Sequence, residues 1–205
     1  MLDATARKLI DPPLNALGKT LAARGATADG VTLTGLVLGI IAAAMIAIGQ
    51  PLLALIPLLA SRISDGLDGA VARASKTTDF GGYLDITCDF LFYGAIPFAF
   101  VVLDPSANAI AGAFLLMSFY FNGTSFLGYA ILAEKRGLET SAQGVKSLYF
   151  SNGLLEGTET IGFFVLLCLF PTSFAVLAWI FGLLCFATAT LRLFAARRVF
   201  TMKED

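Results

Sequence analysis

Histidine is absent from this 205-residue chain, and with it go the commonest general base of enzymes and any zinc site built on imidazole. Cysteine is nearly as scarce. Cys88, Cys168 and Cys185 each stand alone inside an apolar run with no CxxC pair, so they read as core residues, not as disulfide partners or metal ligands. Charge is thin as well. Only 14% of residues are Asp, Glu, Lys or Arg, and the net charge of -1 carries no nucleic-acid signal. The first 27 residues are too polar, and lack the charge-then-apolar block, for a cleaved signal peptide. Acid–base chemistry in this chain falls to a carboxylate.

Apolar side chains fill the space. The chain is 57% hydrophobic, with a mean hydropathy of +0.80, well above an ordinary soluble domain. Six apolar stretches approach the length of a membrane span: Val31–Gly49, Leu52–Ala70, Gly82–Leu103, Ala107–Leu132, Gly153–Phe170 and Ser173–Ala195. Each is long enough, as a helix, for about 30 Å of hydrocarbon. The fold class this predicts is an all-α polytopic membrane protein with six transmembrane helices over residues 28–205. Residues 1–27 are read as an interfacial segment, because Leu2, Leu9, Ile10, Leu14, Leu17 and Leu21 recur at roughly helical spacing beside Arg7, Lys8 and Lys19. The Pro12–Pro13 pair is expected to interrupt that helix. The whole of 1–205 reads as one domain.

All 14 Lys and Arg fall on one side of a six-span topology: before the first span, around the end of the second, between the fourth and fifth, and at the C-terminus. Positive charge collects on the cytoplasmic side, so both termini are expected to face the cytoplasm. The same residues can meet anionic lipid headgroups.

Four aspartates break the apolar pattern. Asp65, Asp68, Asp85 and Asp89 lie within DGLDGAVARASKTTDFGGYLDITCD, at or inside the margins of the second and third spans. An aspartate at the centre of a membrane helix costs about 2.5–3.5 kcal/mol on insertion scales, so four embedded and unpaired would cost on the order of 10 kcal/mol. A divalent cation removes most of that cost. Carboxylates are hard oxygen ligands suited to Mg2+, Mn2+ or Ca2+, and two magnesium ions about 4 Å apart form the usual clamp for phosphoryl displacement. Asp65 and Asp68 are three apart and Asp85 and Asp89 four apart, so on helices each pair shares a face. Between the pairs, residues 74–82 read as a short cytoplasmic turn. Gly69 leaves room for a phosphate to approach the backbone, and Arg73 offers a guanidinium clamp for a pyrophosphate oxygen.

These residues resemble the CDP-alcohol phosphotransferase signature, in which DxxDGxxAR is followed after a short gap by GxxxDxxxD. The match falls on Asp65, Asp68, Gly69, Ala72, Arg73, Gly81, Asp85 and Asp89. The gap of seven residues between Arg73 and Gly81 is about one shorter than in many members, which affects the turn more than the site. The resemblance implies two divalent cations, Mg2+ or Mn2+, held by Asp65, Asp68 and Asp85, with Asp89 sharing the second ion. It also implies that Asp89 is the catalytic base, accepting the proton of an acceptor hydroxyl that attacks the phosphorus of a CDP-activated donor and expels CMP. Gly69, Arg73, Asp68 and Thr32 are the implied nucleotide contacts. Thr32 is the one match to the PNxxT pattern with which other members begin their first span; Ala28 to Thr32 here reads ADGVT. Asp29 can offer oxygens to cytosine or ribose, or serve as the N-cap of the span.

The implied partners are CDP-diacylglycerol or another CDP-alcohol, a small polar alcohol acceptor, membrane lipids and a second copy of the chain. Members with a phosphorylated acceptor commonly carry a lysine just after the last aspartate, where this chain has Phe90, so a phosphate acceptor is disfavoured. Lys135, Arg136 and Lys146 remain as basic candidates or as positive-inside anchors. Glu156 and Glu159 at the entrance to the fifth span can bind a cationic or polyhydroxyl acceptor, or pair with Arg62, Lys146 or Arg73. Asn122, Thr124 and Ser125 in the fourth span suggest interhelical hydrogen bonding, and Gly35 and Gly39 a close-packing face. Length and layout favour a bacterial inner membrane. The competing readings are a donor reversal onto diacylglycerol, a magnesium-dependent prenyltransferase, which has no place for DGxxAR, and a cation transporter, whose acids would cross the midplane.

Overall fold

The computed structural model describes residues 3–137, 155 and 157–201, and among these every regular element is helical. Helix α1 spans Asp3–Ala23, α2 Ala28–Ala47, α3 Pro51–Ala74, α4 Asp79–Leu103 and α5 Pro105–Lys135. After the undescribed segment come α6, Gly157–Leu169, a 3-10 turn at Pro171–Ser173 and α7, Phe174–Thr201. Helices α2 to α7 follow the six predicted spans in order.

Local chemistry sets the boundaries. Thr27 caps α2 and Thr78 caps α4, each accepting a hydrogen bond from the backbone N–H three residues on, at 3.2 Å and 3.0 Å. The cap of α2 is therefore Thr27 and not Asp29, which sits in the first turn, where its charge suits the helix dipole. Asp104 caps α5 by accepting from Ala107 N–H and Ser106 Oγ, and these bonds hold its carboxyl below the usual carboxylate range. Gly25 ends α1 with φ +88°, a left-handed conformation that side-chain-bearing residues rarely adopt.

Helix α1 corrects an expectation: Pro12 and Pro13 lie inside a continuous helix. A proline removes one N–H bond without forbidding the turn when packing holds the helix. Here the second half of α1 is seated on α3. A Cβ at Gly18 would stand 2.6 Å from Ala70 Cβ, and one at Gly66 2.8 Å from Leu14 Cδ1.

Among the described residues, four helices are long and apolar enough to cross a membrane by length and composition: α2, α4, α5 and α7 with its preceding turn. Helix α3 falls short because Arg62, Asp65, Asp68 and Arg73 interrupt it, and the described part of α6 has 13 residues. The chain is thus an all-α integral membrane protein. Ile110, Tyr120 and Ile48 are each at least 75% exposed, as lipid-facing side chains are. Phe92, Phe100, Phe164 and Phe174 are fully enclosed and form the core, with Phe163 stacked on Phe181 at 4.0 Å between ring centroids. Helix α3 packs on α1, α2 and α6, while α5 pairs with α7. The three cysteines are buried and free.

Candidate active site

The acidic pairs sit where their helical spacing predicts. Asp65 and Asp68 share one face of α3, Asp85 and Asp89 one face of α4, and the turn of residues 75–78 reverses the chain so that side chains of the two helices converge. One carboxylate oxygen each from Asp65, Asp85 and Asp89 lies within 4.8 Å of the others. Three hard oxygen donors converging at that spacing, partly shielded from water, fit a divalent cation such as Mg2+ or Mn2+.

Asp68 lies beside that trio, with Asp85 as its neighbour on the cavity lining. It is 6% exposed, and its Oδ2 accepts the Thr32 hydroxyl of α2 at 2.6 Å while its Oδ1 accepts Gly69 N–H at 2.6 Å. A cavity of about 210 Å³ opens beside it, bordered by Asp29, Thr32, Asp68, Gly69, Lys76, Thr78 and Asp85. Thr32, Asp68 and Gly69, predicted as nucleotide contacts, therefore line one wall together. Gly81 also lines the cavity, where a Cβ would lie 3.2 Å from Asp29 Oδ1 and 3.0 Å from Thr78 Oγ1. Asp29, displaced from the cap role, is free to line the cavity. Arg73 is not among the lining residues; its Nη2 donates to Asn15 Oδ1 of α1 at 2.9 Å.

Arg62 is the member that spacing alone does not reveal. In the sequence it belongs with the basic residues near the end of the second span; in the fold it lies in mid-α3 with its side chain 8% exposed. Its Nη1 is 2.8 Å from Asp89 Oδ1 and 3.4 Å from Asp65 Oδ1, so its ion pairs run to the acidic cluster and not to Glu159. Glu156 and Lys146 lie outside the described residues. Asn122 and Ser125 form the expected interhelical bonds, accepting Arg192 Nη1 from α7 at 2.9 Å and 2.7 Å, whereas Thr124 bonds back to the Tyr120 carbonyl within α5. Phe90 rests against the open face of Gly123.

A sequence model of CDP-alcohol phosphatidyltransferase matches residues 26–191, which run from α2 into α7 and include both aspartate pairs. The chain belongs to the CDP-alcohol phosphatidyltransferase family. It is similar over 195 residues, at 47% identity and 95% of each chain, to the inner membrane protein YnjF of Escherichia coli. It also resembles archaetidylinositol phosphate synthases of Pyrococcus horikoshii, 39% identical over 93 residues, and Methanothermobacter thermautotrophicus, 34% over 113. Those matches cover 45% and 55% of this chain and 50% and 55% of the relatives. A CDP-alcohol phosphatidyltransferase is a membrane transferase of phospholipid synthesis that transfers the substituted phosphate of a CDP-alcohol to an alcohol acceptor, with CMP as leaving group, and uses divalent cations. Membership sets aside the prenyltransferase and transporter readings.

Proposed function

We propose that this enzyme transfers the phosphatidyl group of CDP-diacylglycerol to a small alcohol or alcohol phosphate and releases CMP. The observation that carries this is the adjacency of the Asp65, Asp85 and Asp89 oxygens to the cavity walled by Thr32, Asp68 and Gly69. A diphosphate in that cavity lies beside the carboxylates, with Gly69 allowing close approach and Arg73 near enough on α3 to join it. Asp65, Asp68, Asp85 and Asp89 are the proposed ligands of two Mg2+ or Mn2+ ions. Bound there, the ions would neutralise charge developing on the pyrophosphate.

Asp89 is the proposed base. Its position on the Arg62 side of the cluster, away from the cavity lining, suits a group that meets the second substrate. It would take the acceptor proton as the acceptor oxygen bonds to phosphorus and the bond to CMP breaks. No covalent enzyme intermediate is needed. The names of the two archaeal relatives put inositol phosphate first among acceptors to try, although Phe90 stands where a phosphate-binding lysine would be. The basic residues support a cytoplasmic active site and termini in a bacterial inner membrane. One domain over 1–205 and a homodimer complete the proposal.

The test is CMP release by purified protein in detergent, with Mg2+ or Mn2+ and CDP-diacylglycerol, across inositol phosphate, glycerol-3-phosphate, inositol, serine and glycerol. We expect metal-dependent release with one acceptor, reduced about 10²–10⁴-fold in Asp89→Asn, as loss of a general base predicts. Release only when diacylglycerol and a CDP-linked headgroup are supplied would reverse the donor. Absence of CDP binding would overturn the reading.

A further inference from the structure

Arg62 does not belong to the motif that identifies the family, yet it makes the shortest ion pair of the acidic cluster. Its Nη1 contacts both Asp89 Oδ1 and Asp65 Oδ1, one from each helix, at 2.8 Å and 3.4 Å. The guanidinium is itself held. Its Nη2 donates to Ser61 Oγ at 3.1 Å, and its carbon stands 3.8 Å over the centroid of the fully enclosed Phe92 ring. Ser61 Oγ in turn donates to the Gly35 carbonyl of α2 at 2.7 Å. Among the described residues Arg62 Nε has no hydrogen-bond partner. An arginine largely out of water, with a donor left unused, is costly as a mere link between helices. Its placement is better explained by the charges it faces.

We propose that Arg62 is a positioning residue and an internal cation of the active site. It fixes Asp89 through Oδ1, so that Oδ2 is presented to the acceptor hydroxyl, and it supplies positive charge on the flank opposite the nucleotide cavity. The cavity lining includes Asp68 and Asp85 but neither Asp65 nor Asp89, the two carboxylates Arg62 touches. The cluster is thus shared: a fixed protein cation on the acceptor side, divalent ions toward the nucleotide. Two consequences follow from charge and geometry. Arg62 competes with divalent ions for the carboxylates, so its neutral replacement strengthens metal binding. It also orders Asp89, so its loss lowers turnover more than donor binding.

This inference rests on the assignment of Asp89 as base, and the experiment separates the two. Mn2+ affinity is measured by electron paramagnetic resonance on purified Arg62→Gln and Arg62→Lys without substrate, and kcat and donor KM are measured on the same samples. For Arg62→Gln we expect Mn2+ binding about tenfold tighter, kcat about 100-fold lower, and donor KM within about threefold of the parent. Arg62→Lys keeps the charge but not the fork, so Mn2+ affinity returns to the parent value and kcat falls about tenfold. A role in packing alone would lower the thermal midpoint and leave Mn2+ affinity unchanged; that result in Arg62→Gln overturns the proposal, as does a kcat within about threefold of the parent. Should Arg62→Gln fail to fold, Arg62→Lys decides, and parental kcat there overturns it. If Asp89→Asn keeps full activity, the base assignment fails while the Mn2+ measurement still judges Arg62.

Discussion

Thr32 and Asp68 are 36 residues apart, yet a 2.6 Å hydrogen bond joins them at the wall of the nucleotide cavity. A hydrogen bond to a charged group contributes about 1.5–3 kcal/mol, and here it fixes which way the carboxylate points. Replacing Thr32 with Val keeps the shape and removes the donor. We expect donor KM to rise about tenfold with the fold intact, checked by CMP-release kinetics and thermal unfolding. The motif aspartates were legible in sequence because their meaning is local: three-residue and four-residue spacing suffices to put them on one face. Arg62 was not, because its partner Asp89 lies 27 positions away on another helix, and from sequence alone it is one more basic residue near a span end. Of the two roles open to Asp29 in the sequence, the cap falls to another residue for a related reason. Thr27, two residues earlier, has the extended backbone and the hydroxyl that capping needs.

At the level of helices, close approach depends on glycines. A Cβ on Gly39 would sit 2.5 Å from Phe92 Cδ2 and 3.1 Å from Ser61 Oγ, between α2, α3 and α4. Gly39→Ala should therefore destabilise by about 1–3 kcal/mol through overpacking, visible as a lower thermal midpoint. Among the described residues nothing lies within 4 Å of a would-be Cβ on Gly162 of α6, so Gly162→Ala should be neutral or stabilising by up to about 1 kcal/mol in the same assay. The paired glycines of TGLVLG announced such a face in the sequence, but Phe92 as the neighbour depends on how α4 crosses α2. The described helix boundaries lie within six residues of the predicted ones, the largest gap being the end of α7 at Thr201 against Ala195, since apolar runs and turn residues mark them directly. The continuity of α1 through Pro12 and Pro13 was not legible, because it rests on packing of the second half of α1 against Ala70 and Gly66 of α3.

For the molecule as a whole, the acidic cluster is a concentration of like charge that the fold brings together from two helices. Anything that binds it only in the folded state stabilises that state. At a hundredfold excess over its dissociation constant, a bound cation adds about 2.7 kcal/mol. We therefore expect Mn2+ or Mg2+ to raise the thermal midpoint in detergent, chelation to abolish both this rise and CMP release, and Asp85→Asn to shrink the rise. An unchanged midpoint at millimolar Mn2+ would argue against a metal site here.

The polar residues of α3 also bear on how the protein reaches its membrane. Arg62, Asp65, Asp68 and Arg73 leave this helix short of the apolarity that α2, α4, α5 and α7 possess. Each charged residue opposes partition by about 2.5–3.5 kcal/mol when a segment emerges alone. Helix α3 therefore has little chance of leaving the translocation channel by itself. We expect it to settle in lipid once α4 supplies Asp89 to meet Arg62, so that the helices carrying the acidic pairs enter together.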